Sequence, residues 1–251
     1  MRTFERSIGG RPTFLASVTD ADEAMIAHRA GADLIDAKNP SAGALGALPL
    51  ATISAIRRAL PEDAILSATV GDLPCLPDVL TAAAKATLLA GADYVKVGIF
   101  PGGLPQDSIA RLGALGSGRG RIVGLLLADR APDFGLIAAM ADAGFAGVML
   151  DTADKSAGAL PDVMDLGAIE SFVREAHMRG IFSGLAGALR LAHIAPLVRL
   201  NPDVLGFRGA LCANENRTGR IDAASLAAIR GAITANARRA TTCPVATRSE
   251  A

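Results

Sequence analysis

Apolar residues recur along this chain in two alternating patterns. Short β-branched or aliphatic runs read as strands, and between them lie Ala- and Leu-rich stretches with apolar positions at helical spacing. The joints between the two patterns repeat. HRAGADLIDAK at 28–38, LLAGADYVKV at 88–97 and ADAGFAGVMLD at 141–151 each leave a helical stretch, pass Gly31, Gly91 or Gly144, and enter an aliphatic run. A glycine there suits the left-handed residue that ends a helix, where any Cβ costs energy. Gly180 before IFSGLAG and Asn201-Pro202 before DVLGFRG are further versions of the joint.

Placing a strand after each joint and adding the remaining apolar runs predicts strands over TFLASV, LIDAK, ILSATV, YVKVGI, IVGLLL, GVMLDTA, FSGLAG and VLGFRG. Helices are predicted over segments including 21–30, 50–60, 77–90, 132–143, 167–179 and 222–239. Roughly eight strand–helix units at this length predict an α/β protein, a single (β/α)8 TIM barrel. A doubly wound open sheet also alternates strands and helices, but no GxGxxG turn follows the first strand to favour it. The expected organisation is one barrel domain over 1–240 and a C-terminal tail over 241–251, with fraying from about Arg238.

In such a barrel, side chains alternate between the interior and the helices, and chemistry collects at the C-terminal strand ends. Parity pairs Asp36 with Lys38, Tyr94 with Lys96, and Met149 with Asp151, while Lys155 lies just beyond its strand. Lys38, Lys96 and Lys155 are three of only four lysines; the fourth, Lys85, sits in the helical AAAKATLL and is expected on the surface. Arginine carries the rest of a Lys+Arg total of 25, and a guanidinium neither loses its proton near neutral pH nor forms an imine. Clustering and partial burial favour a neutral amine that attacks a carbonyl, with Asp36 and Asp151 relaying protons. The alternative is that these groups only brace the barrel as ion pairs.

Gly187-Ala188 and Gly209-Ala210 end the last two strands, where barrels of this kind often bind phosphate on backbone N–H groups; Arg208 precedes the second pair, and Arg217 and Arg220 follow it. NPSAGALGALPL after Lys38 is either a closing segment or an ordinary loop. His28, His177 and His193 fall in outer helices, so neither a metal site nor a histidine base is expected. Ser17, Ser67 and Thr69 line the interior with no histidine to activate them. Asp72 either binds a substrate hydroxyl or caps a turn, and Cys212 is a small apolar filler.

Composition narrows the partners. A hydrophobic fraction of 51% with 4% aromatic residues and no Trp calls for a core of small aliphatic side chains. A formal net charge of zero leaves no footprint for nucleic acid or a membrane surface, so a small phosphorylated molecule is the expected partner, with a homo-oligomer possible. Cys75, Cys212 and Cys243 form no CxxC pair and read as reduced thiols of a cytoplasmic protein. No apolar run reaches membrane-spanning length, and MRTFERSIGGRPTF lacks the apolar segment of a secretory signal.

Taken together, GADLIDAKNPSAGALGA, SATVGDLP, GADYVKVG, VMLDTADK, GLAGAL and GFRGALC resemble the (5-formylfuran-3-yl)methyl phosphate synthases of methanofuran biosynthesis, from the first strand to GRI at 219–221. The resemblance implies a TIM barrel without a cofactor that condenses two molecules of glyceraldehyde 3-phosphate into a furan aldehyde phosphate, releasing phosphate and water, in one-carbon metabolism. It carries catalytic roles to Lys38, Lys96, Asp151 and Lys155, with Lys38 favoured for the imine. SAGALPDVMD after Lys155 departs from the archaeal pattern in lacking aromatic and histidine residues, and the chain opens with about ten extra residues. Another Schiff-base aldolase on a phosphorylated sugar, or a non-catalytic barrel that binds triose phosphate, are the rival readings.

Overall fold

The computed structural model describes residues 10–115 and 121–242; Cys243 and the rest of the tail lie outside them. Strands and helices alternate as β1 (Thr13–Val18), α1 (Ala21–Arg29), β2 (Leu34–Ala37), α2 (Leu50–Ala59), β3 (Ile65–Thr69), α3 (Pro77–Leu89), β4 (Tyr94–Gly98), α4 (Pro105–Leu115), β5 (Ile122–Leu127), α5 (Leu136–Asp142), β6 (Gly147–Asp151), a one-turn α6 (Leu160–Val163), α7 (Leu166–Met178), β7 (Phe182–Leu185), α8 (Leu191–Val198), β8 (Val204–Phe207) and α9 (Ala223–Thr242). All neighbouring strands pair in parallel, and β8 returns to β1 with Gly206 opposite Leu15. That last pairing closes the barrel and excludes the open sheet.

The α-to-β joints form as the glycine pattern predicts. Gly31, Gly91, Gly144 and Gly180 have φ of +86°, +109°, +81° and +75°, and Asn201 takes the same role at +56°. Three joints continue into an aspartate that caps a strand on its N-terminal side: Asp33, Asp93 and Asp203 accept the backbone N–H groups of Phe14, Leu66 and Ser183 at 2.8, 2.9 and 2.8 Å. His177, in the outer helix α7, joins Asp203 at this base and stays far from the strand C-termini.

Two expectations shift. The helix expected over 132–143 starts at Leu136, because Asp133 turns back to accept the Gly135 N–H and Ala131 stands in the left-handed region. The fraying expected from Arg238 gives way to helix through Thr242, so α9 covers the start of the expected tail. Helix α8 carries Pro196 and interrupts the helical sequence pattern that would have singled it out.

Strand parity separates two apolar layers. Ile35, Ala37, Val95, Val97, Val148 and Leu150 face the helices in the larger cluster, whereas Leu34, Tyr94, Met149, Phe182 and Val204 fill the barrel. Tyr94 and Phe182 meet edge to face at 6.5 Å in the floor. Gly184 must lack a Cβ here, since one would stand 2.5 Å from Met149 Cγ. The next inward positions above this floor are Ser17, Asp36, Ser67, Lys96 and Asp151, all buried.

Asp33 gathers Arg11 at 2.7 Å and Arg230 at 2.9 Å in addition to the Phe14 N–H, tying the first strand to the last helix. Asp33→Ala removes the buried carboxylate that Arg11, Arg230 and the Phe14 N–H share, and we expect a loss of about 3 kcal/mol of unfolding free energy, read by urea titration. A change below ~1 kcal/mol would show that this base contact does not hold the barrel closed.

Candidate active site

Lys38 is the residue immediately after β2, its backbone N–H held by Val18 O at 3.0 Å. β2 and β6 stand on opposite sides of the eight-stranded ring, so Asp151 at the end of β6 faces Lys38 across the mouth. The Lys38 ammonium donates to Asp151 Oδ2 at 2.9 Å. Asp151 Oδ1 accepts from the Lys155 ammonium and from the Thr152 N–H at 2.8 Å. One buried carboxylate thus carries two lysines.

The second cluster lies deeper. Ser17, Asp36 and Ser67 are register partners on β1, β2 and β3, and both hydroxyls donate to Asp36, at 2.9 and 2.7 Å. Lys96 reaches the same carboxylate from β4 at 2.6 Å. Asp36 is fully buried and Lys96 nearly so.

Electrostatics divides these groups by role. Burial pushes the Lys96 amine below its ordinary pKa; Asp36 opposes that shift and the nearby Lys38 charge adds to it. Burial lowers Lys155 as well, against Asp151 and with the help of Lys38. Asp151 goes the other way from what burial alone would do, because Lys38 and Lys155 hold its carboxyl well below the usual range. Asp151 is therefore a poor proton acceptor and a strong anchor, while the Lys96 and Lys155 amines are less basic than an exposed lysine.

Lys38, Lys96, Asp151 and Lys155 line a cleft at this mouth, with Asp36 buried beneath it. The loops after β7 and β8 bring Gly187, Ala188, Gly209 and Ala210 to the same cleft, together with Arg190, Arg208, Glu215 and Arg217. Gly187 has φ +105° and Ala188, despite its Cβ, +47°, a strained arrangement of the kind found at ligand sites. The N–H groups of Gly187, Ala188, Gly209 and Ala210 have no hydrogen-bond partner among the described residues, and the last two open a 3-10 turn. Leu160 N–H, from α6, donates to Gly187 O at 2.9 Å and fixes the loop from behind.

Comparison with known proteins places this arrangement. The 4-HFC-P synthase family model matches residues 14–240. The chain belongs to the 4-HFC-P synthase family. A relative from Methylorubrum extorquens is 43% identical over 218 residues, covering 86% of this chain and 89% of the other. The (5-formylfuran-3-yl)methyl phosphate synthase of Methanothermobacter thermautotrophicus is 37% identical, covering 82% and 92%. That of Methanocaldococcus jannaschii is 37% identical, covering 83% and 94%. Among solved structures, phosphoribosyl anthranilate isomerase from Thermus thermophilus superposes with a TM-score of 0.64 at 16% identity, covering 88% of this chain and 98% of that one. 3-Keto-L-gulonate-6-phosphate decarboxylase from Vibrio cholerae also scores 0.64, at 15% identity, covering 90% and 98%. At such identities these two structures report the fold alone.

Within this family member, the residues expected at the mouth from sequence do meet there: Lys38, Lys96, Lys155, Asp36 and Asp151, with Gly187, Ala188, Gly209 and Ala210 in the same cleft. Arg208 is a correction. It lines the cleft, but all five of its N–H groups are occupied: by Glu23 at 2.5 and 3.3 Å, Ser17 O at 3.1 Å, Arg217 O at 2.9 Å and Gly219 O at 2.6 Å. It braces the loop after β8 and has no donor left for a phosphate. Glu23 is the residue that sequence reading missed. Its place three residues after the α1 cap Asp20 suggests a purely local capping role, and nothing in sequence links it to Arg208.

Other candidates resolve plainly. Asp72 accepts the Ala44 and Leu45 N–H groups, each at 2.8 Å, so it holds the loop after β2. Leu45 is fully buried in the barrel cluster, and that part of the glycine-rich segment is packed. Thr69 donates to Gly46 O at 2.9 Å in the same loop. Lys85 is exposed on α3, and Cys75 and Cys212 are buried free thiols.

The Asp151 shift fixes the sign of an acid response. A carboxylate favoured by the fold gives stability that is complete above its ordinary value of 3.8 and is lost as pH falls through the folded value. Asp151→Asn should be less stable at neutral pH by about 3 kcal/mol and show a shallower acid slope, so that the two unfolding curves converge below about pH 4. A stability difference that stays constant from about pH 5 down to about pH 2 would remove Asp151 from the acid response.

Proposed function

We propose that this protein condenses two molecules of glyceraldehyde 3-phosphate into (5-formylfuran-3-yl)methyl phosphate, through an imine on Lys38, as a step toward methanofuran or a related one-carbon carrier. Orthophosphate and two waters leave, which balances the atoms of two triose phosphates against a six-carbon furan. The observation that carries the reading is the Lys38–Asp151 contact across the mouth, in the same cleft as backbone N–H groups that have no partner among the described residues. Family membership supports the furan product.

In this scheme Lys38 passes its proton on and attacks the aldehyde of the first substrate, with loss of water to the imine. Lys155, tethered to the same carboxylate as Lys38, is the proton acceptor whose lowered pKa supports that exchange. An amine base takes the proton on the carbon next to the imine, and the resulting enamine attacks the aldehyde of the second molecule. Lys96, buried with Asp36 beneath Lys38, is placed to return a proton to the new alkoxide. Elimination of phosphate, release from Lys38, ring closure through a hydroxyl and dehydration complete the furan. Burial of Lys96 and Asp36 beside an apolar floor supports keeping bulk water from the imine.

Borohydride reduction in the presence of glyceraldehyde 3-phosphate should add the reduced triose to Lys38, found by peptide mass spectrometry. Lys38→Arg should abolish both labelling and furan formation, since a guanidinium keeps the charge without forming an imine. Labelling at another lysine, or normal turnover by Lys38→Arg, would defeat the Lys38 assignment. Asp36→Asn should still be labelled while furan formation, followed by its near-ultraviolet absorbance, falls about 10²-fold.

A further inference from the structure

Formal charge at the mouth does not balance. Lys38, Lys96, Lys155 and Arg217 stand against only Asp36 and Asp151. The two remaining arginines of the cleft contribute no excess, because Glu23 pairs with Arg208 at 2.5 Å and Glu215 with Arg190 at 2.9 Å. The surplus of two positive charges matches a phosphate monoester, which carries about −1.5 to −2 at neutral pH.

Among the cations that line the cleft, Arg217 is the one with no carboxylate salt bridge to any of the described residues. Its side chain is half-buried, starts beside Gly209, and extends toward the loop after β2, where Nη2 stands 3.5 Å from Gly43 O. Its charge is felt by both Asp151 and Lys155. A guanidinium partly removed from water and given only one weak carbonyl contact is held at a cost unless an anion completes it. The backbone cradle at Gly187, Ala188, Gly209 and Ala210 is a second and different donor set, uncharged and on the β7–β8 side.

We propose that the cleft binds two phosphate groups at once, one on the backbone cradle and one between Arg217 and Lys155. This rests on the reading above that two triose phosphates react together, and it assigns each phosphate its own donors. Arg217 reaches from beside Gly209 toward the loop after β2, whereas the cradle lies in the loops after β7 and β8, so the two donor sets present a phosphate to the cleft from different loops. Two substrates held from these two directions bring their carbonyl ends toward the amines between them.

Titration calorimetry with inorganic phosphate at low salt tests this directly. The wild-type protein should bind two equivalents and Arg217→Ala one. Arg217→Lys, which restores a charge without the fork, should regain the second equivalent at weaker affinity, and so separates loss of a site from loss of the fold. One equivalent in the wild-type protein, or two in Arg217→Ala, would overturn the proposal. The same preparations are assayed for furan with glyceraldehyde 3-phosphate, where Arg217→Ala should lower kcat/KM about 10²-fold. Two bound phosphates in a wild-type protein that makes no furan would support the paired site and refute the reaction instead.

Discussion

The contact on which this active-site candidate depends is the ion pair between Lys38 and Asp151, made across the diameter of the barrel. Neither residue has its partner on its own or an adjacent strand, so the pair exists only when all eight strands have closed. It does not drive that closure. Burying two charges costs about as much as their attraction returns. The apolar layers inside and outside the strands supply the stability, and part of it is used to hold an amine and a carboxylate where water is scarce. Adding Lys155 to the same carboxylate makes the arrangement asymmetric: Asp151 becomes firmly anionic, while burial, helped by the nearby Lys38 charge, lowers Lys155.

An arrangement of this kind works only if the walls do not yield, and both ends of the barrel are tied. At the base, Asp33, Asp93 and Asp203 cap strand starts and collect arginines or His177. At the mouth, Arg208 links α1, β1 and the loop after β8 through Glu23 and three carbonyls, and Asp72 pins the loop after β2. Ser17 and Ser67 fix both oxygens of Asp36. None of these residues needs to touch a ligand; together they determine where the reactive groups stand.

Sequence made the barrel and the lysine cluster legible for a local reason. Strand parity is a period of two, so once LIDAK, YVKVG and VMLDTADK are taken as strands, the side on which Asp36, Lys38, Lys96 and Asp151 point follows. The glycine joints are equally local, since a left-handed residue announces itself in a single position. What sequence could not show was pairing across space. Arg208 has the right type and position for a phosphate ligand, and only its contact with Glu23, 185 residues away along the chain, reveals it as a brace. The depth of Leu45 in the barrel was hidden for the same reason, within a segment whose glycines read as a loop.

The mixture of amines, backbone N–H groups and a guanidinium in the cleft has a chemical rationale under the proposed reaction. An aldehyde phosphate presents two electrophilic or anionic handles, and a lysine attracts both: it neutralises the phosphate and condenses with the carbonyl. Binding phosphate with more lysines would scatter imines over unproductive positions. Backbone N–H groups and a guanidinium bind the phosphate equally well and cannot form imines. In this cleft glycine and alanine come from the loops after β7 and β8 with Arg217 beside them, and the amines are limited to Lys38, Lys96 and Lys155. The fourth lysine, Lys85, is on the outer face of α3, where an aldehyde held in the cleft cannot reach it. Under the proposed reaction, scarcity of lysine serves selectivity: the amines within reach of an aldehyde in the cleft are Lys38, Lys96 and Lys155, with Asp36 holding Lys96 and Asp151 holding the other two.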